Sequence, residues 1–140
     1  MKTSNRNNTQ PPTAYSAVLV IGRFGAEGRL TVTTKGLEWK NWLSKKPEYY
    51  PFSSLKELSL THSGLKIVLR SQPFQADYIV SRHMRSIAGD LLRVGKKLNT
   101  DRIGSAVFVG VLYDVLFILG KILIVAAVAA LFLTMISSIG

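Results

Sequence analysis

A chain of 140 residues with 18 Lys and Arg against 8 Asp and Glu carries a formal charge of +10 and contains no cysteine. That composition excludes a disulfide scaffold, a thiolate zinc site and a cysteine nucleophile, and it points the charge toward anionic lipid or an acidic protein. Residues 103–140 are almost wholly apolar, which leaves about 100 residues for one small soluble domain.

Residues 1–13 are rich in Asn, Thr, Ser and Pro and have too few apolar side chains to offset the entropy of ordering, so a disordered tail is expected. No apolar run follows the first charges, which argues against a secretory signal. The absence of acids before Glu27 is a transit-peptide trait, but Pro11 and Pro12 break an amphipathic helix. Asn7-Asn8-Thr9 is a formal glycosylation sequon.

From Tyr15 the hydrophobic period is two, broken at short intervals by turn residues, as in an antiparallel sheet. Residues 15–24 form a first strand, ended by Gly25-Ala26-Glu27-Gly28, and residues 28–34 a second that turns at Lys35-Gly36. Leu37 and Trp39 mark the inner face of a third strand; Ser44-Lys45-Lys46-Pro47 leads to a short fourth, residues 49–52, where Pro51 implies an edge or a bulge. Residues 55–61 and 65–70 make a hairpin across His62-Ser63-Gly64, with Leu58, Leu60, Leu65, Ile67 and Leu69 as core, and residues 74–80 a seventh strand.

The period then becomes helical. Met84, Ile87, Leu91, Val94 and Leu98 follow steps of three and four behind Ser81 as N-cap, so a helix should cover one end or face of the sheet. The domain is thus expected over residues 14–98, with 99–102 as linker. Arg82, Arg85, Arg93, Lys96, Lys97 and Arg102 give this region a basic side, a candidate surface for anionic lipid. Basic residues just before an apolar span place the domain on the cytoplasmic side, with the matrix side of a mitochondrial inner membrane as the alternative.

Seven short strands and one C-terminal helix make the element order of the pleckstrin-homology superfold. Within it, Gly28-Arg29-Leu30-Thr31-Val32-Thr33 and the later Pro51-Phe52-Ser53-Ser54-Leu55 resemble the GRAM branch, over roughly residues 15–98. The resemblance implies an α+β fold, a seven-stranded antiparallel PH-like barrel or sandwich capped by the helix, and docking to a membrane surface or a protein. Phosphoinositide-gripping relatives carry basic residues around the first hairpin loop. Here that loop, read as Gly25-Ala26-Glu27-Gly28, holds an acid, which speaks against specific phosphoinositide recognition; Arg23, Arg29, Lys45 and Lys46 leave weak, nonspecific attraction to anionic lipid.

No pair of carboxylates, metal-ligand spacing or phosphate-cradling glycine loop occurs, and the two histidines, His62 and His83, lie in a turn and at a helix start. Neither an enzyme nor a cofactor nor a metal is expected. Trp42, Tyr49 and Tyr50 lie near the Lys45-Lys46 loop and are candidates for partner docking, whereas Trp39 is in phase with the core. Stacking on nucleic acid needs a similar aromatic set, but the membrane anchor argues against it.

Residues 103–140 would form a helix of about 55 Å, longer than the roughly 30 Å of a bilayer's hydrocarbon core. They are read either as one long helix or as a hairpin bending at Gly120-Lys121, with the single helix favoured. Asp114 and Lys121 are seven residues apart, hence on one face, as contacts to a neighbouring subunit or as interfacial and snorkelling groups. Ala106 with Gly110, and Ala126 with Ala130, are small-residue pairs that permit close helix packing. The expectation is a non-catalytic, membrane-anchored accessory or assembly subunit of a larger membrane complex. A sensor or tether for anionic membrane lipids and a small homo-oligomeric pore are the alternatives.

Overall fold

A computed structural model of the chain describes residues 12–139. The sequon and all of the expected tail except Pro12 and Thr13 lie outside the described residues. Seven strands are followed by two helices: β1 (Ala14–Ile21), β2 (Phe24–Val32), β3 (Gly36–Asn41), β4 (Glu48–Pro51), β5 (Leu55–Thr61), β6 (Gly64–Leu69), β7 (Ala76–Val80), α1 (Met84–Arg93) and α2 (Ile103–Ile139). All strands join one antiparallel sheet in the order β4-β3-β2-β1-β7-β6-β5.

The sheet is curled, and its core shows why. Leu37 and Trp39 of β3 share one buried cluster with Leu55 and Leu60 of β5, near opposite ends of the strand order. A flat sheet would hold them several strand spacings apart, about 4.8 Å each. Cross-strand neighbours Leu30 and Trp39, Leu19 and Ile79, and Leu65 and Ile79 fill the inner face between them. The gap between β4 and β5 is bridged by a short 3₁₀ turn, Phe52–Ser54, which begins just after the edge-strand proline Pro51. Backbone bonds from Phe52 to Lys35 and from Arg70 to Ser54 tie that turn to both flanks.

One turn departs from the sequence reading. The first hairpin closes at Gly22-Arg23, not at Gly25-Ala26-Glu27-Gly28, which lies inside β2. Gly22 has φ +61°, a conformation that favours glycine. Gly28 is a glycine for a different reason: a Cβ there would run into the Lys40 carbonyl and the Trp39 ring. The acid Glu27 therefore belongs to a strand, and the first loop carries the basic Arg23.

Helix α1 buries Met84, Ile87, Ala88 and Leu91 in the mouth of the half-barrel. Ser81 is not its N-cap, a position taken by His83. Instead the buried Ser81 hydroxyl donates to the Ser16 carbonyl (2.7 Å) and accepts from the His83 amide (3.0 Å), binding the end of β7 to β1. The Tyr15 hydroxyl donates to Asp90 (2.8 Å), a second link between β1 and α1; burial first, and then this bond, raise the phenol's pKa. The helix stops earlier than its period suggests. Lys96 N–H returns to the Leu91 carbonyl and Gly95 N–H to that of Leu92, with Gly95 at φ +89°, a Schellman ending. Val94 and Leu98 still rest partly buried on the core.

Helix α2 runs unbroken for 37 residues and is long and apolar enough to cross a membrane. The alternative of a bend at Gly120-Lys121 does not occur. A single glycine between good helix formers costs only about 1 kcal/mol, less than a turn would leave in unpaired backbone. Ala106 is fully buried in the core cluster, with Ile103 and Val107 packed against it. One turn on, Gly110 lies directly against the Ser81–Arg82 peptide, where a Cβ would collide with the backbone of both residues.

Two expected outcomes follow from this packing. Gly110→Ala should lower the thermal unfolding temperature in detergent, at about 1–3 kcal/mol of overpacking, whereas Gly104→Ala, whose Cβ meets nothing within 4 Å, should gain up to about 1 kcal/mol. Asp77 shares the inner face with its cross-strand partner Ile67, and burial holds its carboxyl above the usual carboxylate range, against a weak lowering by the Gln75 amide at 3.4 Å. A raised folded-state pKa means stability lost as pH rises through the carboxylate range. Asp77→Asn should therefore raise the unfolding temperature at pH 7, and that gain should vanish at a pH below the carboxyl's unfolded-state pKa.

Candidate functional site

The first half of α2 crosses the sheet from one side to the other. It touches β5, β6 and β7, meets the Ser81–Arg82 turn at Gly110, approaches β2 at Gly25 and ends beside Trp42, just beyond β3. A Cβ built on Gly25 would lie 3.1 Å from Val18, a tight approach that glycine avoids, and 3.8 Å from the Phe117 ring, an ordinary contact that places this ring over the strand.

Both charges of the apolar segment are spent on this crossing. Arg82 Nε lies 3.5 Å from Asp114 Oδ2, and Lys121 Nζ donates to the two Glu27 carboxylate oxygens at 3.0 and 3.2 Å. The roughly 0.2–1 kcal/mol scale of such partly exposed pairs makes them fasteners of orientation more than sources of stability. Beyond Lys121 every described residue of α2 is exposed.

Between α2 and the sheet margin runs a groove of about 800 Å³, lined by Gly25, Ala26 and Glu27 of β2, by Trp42 and Leu43, and by α2 from Tyr113 to Ile124. The loop side is apolar yet open: Trp42 is 76 % and Leu43 94 % exposed. Phe24, next to the Gly22-Arg23 turn, is 83 % exposed.

The residues singled out from sequence fall into three groups. Of the basic set, Arg82 pairs with Asp114, Arg93 with Asp90 (3.6 Å) and Lys96 covers the Phe52 ring at 4.3 Å, while Arg85, Lys97 and Arg102 are exposed. Three of the six thus already have partners within the chain. Of the aromatic set, Trp42 lines the groove, Tyr49 is half-exposed on the edge strand β4, and Tyr50 donates to Glu48 (2.6 Å). Of the small pairs, Ala106 and Gly110 are covered by the chain's own core and turn, and Ala126 and Ala130 are exposed. Sequence reasoning missed Glu27, Leu43 and Phe24. The signal for Glu27 was present: two lone charges in an apolar helix each require a partner. Among the described residues no group of three or more His, Asp or Glu is placed to hold a metal ion.

The architecture is α+β, a curled seven-stranded antiparallel sheet with a short helix and a long apolar one. No protein-family model matches the chain, and no curated protein does. Among solved structures it is similar to the crystal structure of the C-terminal domain of an unknown protein from Leishmania infantum, at 10 % identity and a TM-score of 0.49, over 60 % of this chain and 83 % of that one.

The Lys121–Glu27 pair makes a direct test of the crossing. Lys121→Glu and Glu27→Lys should each destabilise the docked helix by up to about 1 kcal/mol, and the double exchange should recover most of it. Hydrogen exchange of the amides of β2 and of residues 113–121 reads the docking locally.

Proposed function

We propose that the chain is a non-catalytic, membrane-anchored accessory or assembly subunit of a larger membrane complex, built on a pleckstrin-homology-like domain with GRAM-like strands. The strand order and the helix in the mouth of the half-barrel support that fold reading. The observation that carries the function is a division of labour within α2. Up to Lys121 the helix belongs to the domain; residues 122–139 carry no charge and are bare on all sides, over about 27 Å, close to a bilayer's hydrocarbon core. One rigid helix thus joins the domain to its span with no flexible linker, a design suited to holding a surface at fixed height and orientation beside a partner. In the span, Ala126 and Ala130 offer a close-packing face to a neighbouring helix.

In this reading the basic residues before α2 keep the domain on the cytoplasmic, or matrix, side. Lipid sensing by the basic residues in and around α1 is the weaker alternative, because three of the six already have partners in the chain and Lys97 and Arg102 precede the end of α2 remote from the span. A pore lined by Asp114 and Lys121 is weaker still, since both face the domain.

Gentle solubilisation from native membranes, followed by mass spectrometry of what co-purifies, tests the proposal. Stoichiometric recovery with one larger complex is expected, and Ala126→Ile with Ala130→Ile should lower it severalfold. Recovery only as a free monomer would overturn it.

A further inference from the structure

The groove beside α2 ends where the proposed span begins, and this continuity suggests what fills it. Tyr113, Leu116, Phe117, Gly120, Lys121 and Ile124 repeat at steps of three and four, so one stripe of the helix forms the wall. Ile124 belongs at once to that wall and to the uncharged segment, so the groove opens directly onto hydrocarbon in the membrane-anchored reading, on which this inference rests. At about 800 Å³ it falls within the usual range of small-ligand sites, about 300–1,000 Å³. Its opposite wall is an exposed tryptophan and an exposed leucine, a pairing suited to the junction of headgroups and acyl chains.

We infer that the groove receives one acyl chain of a phospholipid from the leaflet beside the domain, clasped between Trp42 and Leu43 on one side and Leu116, Gly120 and Ile124 on the other. The charges nearby suit the headgroup. Lys45 and Lys46 follow Leu43 by two and three residues, hence within about 7–11 Å of chain, and bring cations to the level of the phosphate. Glu27, the one acid in the lining, is already neutralised by Lys121. Gly120 keeps the middle of the helix wall low, since nothing lies within 4 Å of where its Cβ would be. The groove has no counterpart in the sheet alone: it exists because the anchor folds back along the domain.

The full chain in vesicles of phosphatidylcholine brominated on its acyl chains, compared with unbrominated vesicles, reads this contact through tryptophan fluorescence. Only two tryptophans exist, and Trp39 is 2 % exposed in the core, so quenching should come from Trp42 and disappear in Trp42→Phe. Filling the groove with Gly120→Phe, or with the smaller Gly120→Leu, should at least halve the quenching while leaving the far-ultraviolet circular dichroism unchanged. Quenching that survives both fillings would mean that the indole meets lipid outside the groove, and would overturn the inference. So would an absence of quenching in vesicles while Trp42 is shielded from iodide in native membranes, which would assign the groove to a protein segment. Alkaline carbonate extraction of the same vesicles separates the two levels. Retention without quenching defeats the acyl-chain site and leaves the anchor standing, whereas release of the chain defeats the anchor and the site together.

Discussion

The structure depends on the contact between Gly110 and the Ser81–Arg82 peptide. Two backbones meet there with no side chain between them, so the position of α2 is set by main chain and not by adaptable packing. Ser81 passes the constraint on, because its hydroxyl holds the Ser16 carbonyl and the end of β7 is thereby fixed to β1. Ala106 lies one turn before Gly110, in the core, and Asp114 one turn after it, on Arg82. Continuing through Phe117 and Lys121, the same helix face meets Gly25 and Glu27. A seam of steps of three and four thus turns a sheet and an apolar helix into one body.

The sheet was legible where a period of two runs between clear turn residues. Residues 55–61 were read with the bounds of β5, and Leu58, Leu60, Leu65 and Ile67 alternate as the pleat requires. The first hairpin was not, and the cause is that glycine carries two meanings. Gly22 is needed for its positive φ, Gly28 for the space that the Lys40 carbonyl and the Trp39 ring occupy, and Gly25 spares a tight contact with Val18. Two glycines separated by Ala26-Glu27 look like a turn in sequence. Only the strands that flank them, β1 with Val18 and β3 with Trp39, reveal them as strand residues.

The candidate site was half legible. Trp42 stood out as an aromatic near a basic loop, and Asp114 and Lys121 as charges in the wrong solvent. Their true partners, Arg82 and Glu27, lie 32 and 94 residues away along the chain, and no local pattern links them. Ala106 and Gly110 were read as a helix-packing face, which they are in geometry, but what they pack against is the chain's own core and the turn between β7 and α1. A small-xxx-small pair specifies close approach and leaves the identity of the neighbour open.

The docking of α2 also determines where the domain's charge can act. On the membrane reading, the helix from Arg102 to Lys121 stands between the bilayer surface and the basic residues that precede it, a length of about 28 Å. Even with the helix tilted by about 45°, roughly 20 Å would separate Lys97 and Arg102 from the headgroups, more than twice the ~8 Å screening length at physiological salt. Their attraction to that membrane would be largely screened. Lys45 and Lys46 follow the groove residue Leu43 by two and three positions and Arg23 precedes the groove residue Gly25 by two, so on the same reading these charges would lie nearer to the bilayer. On that reading Lys45 and Lys46, next in the chain to the groove's Leu43, would suit the near leaflet, while Lys97 and Arg102, just before the other end of α2, would be left to the aqueous phase.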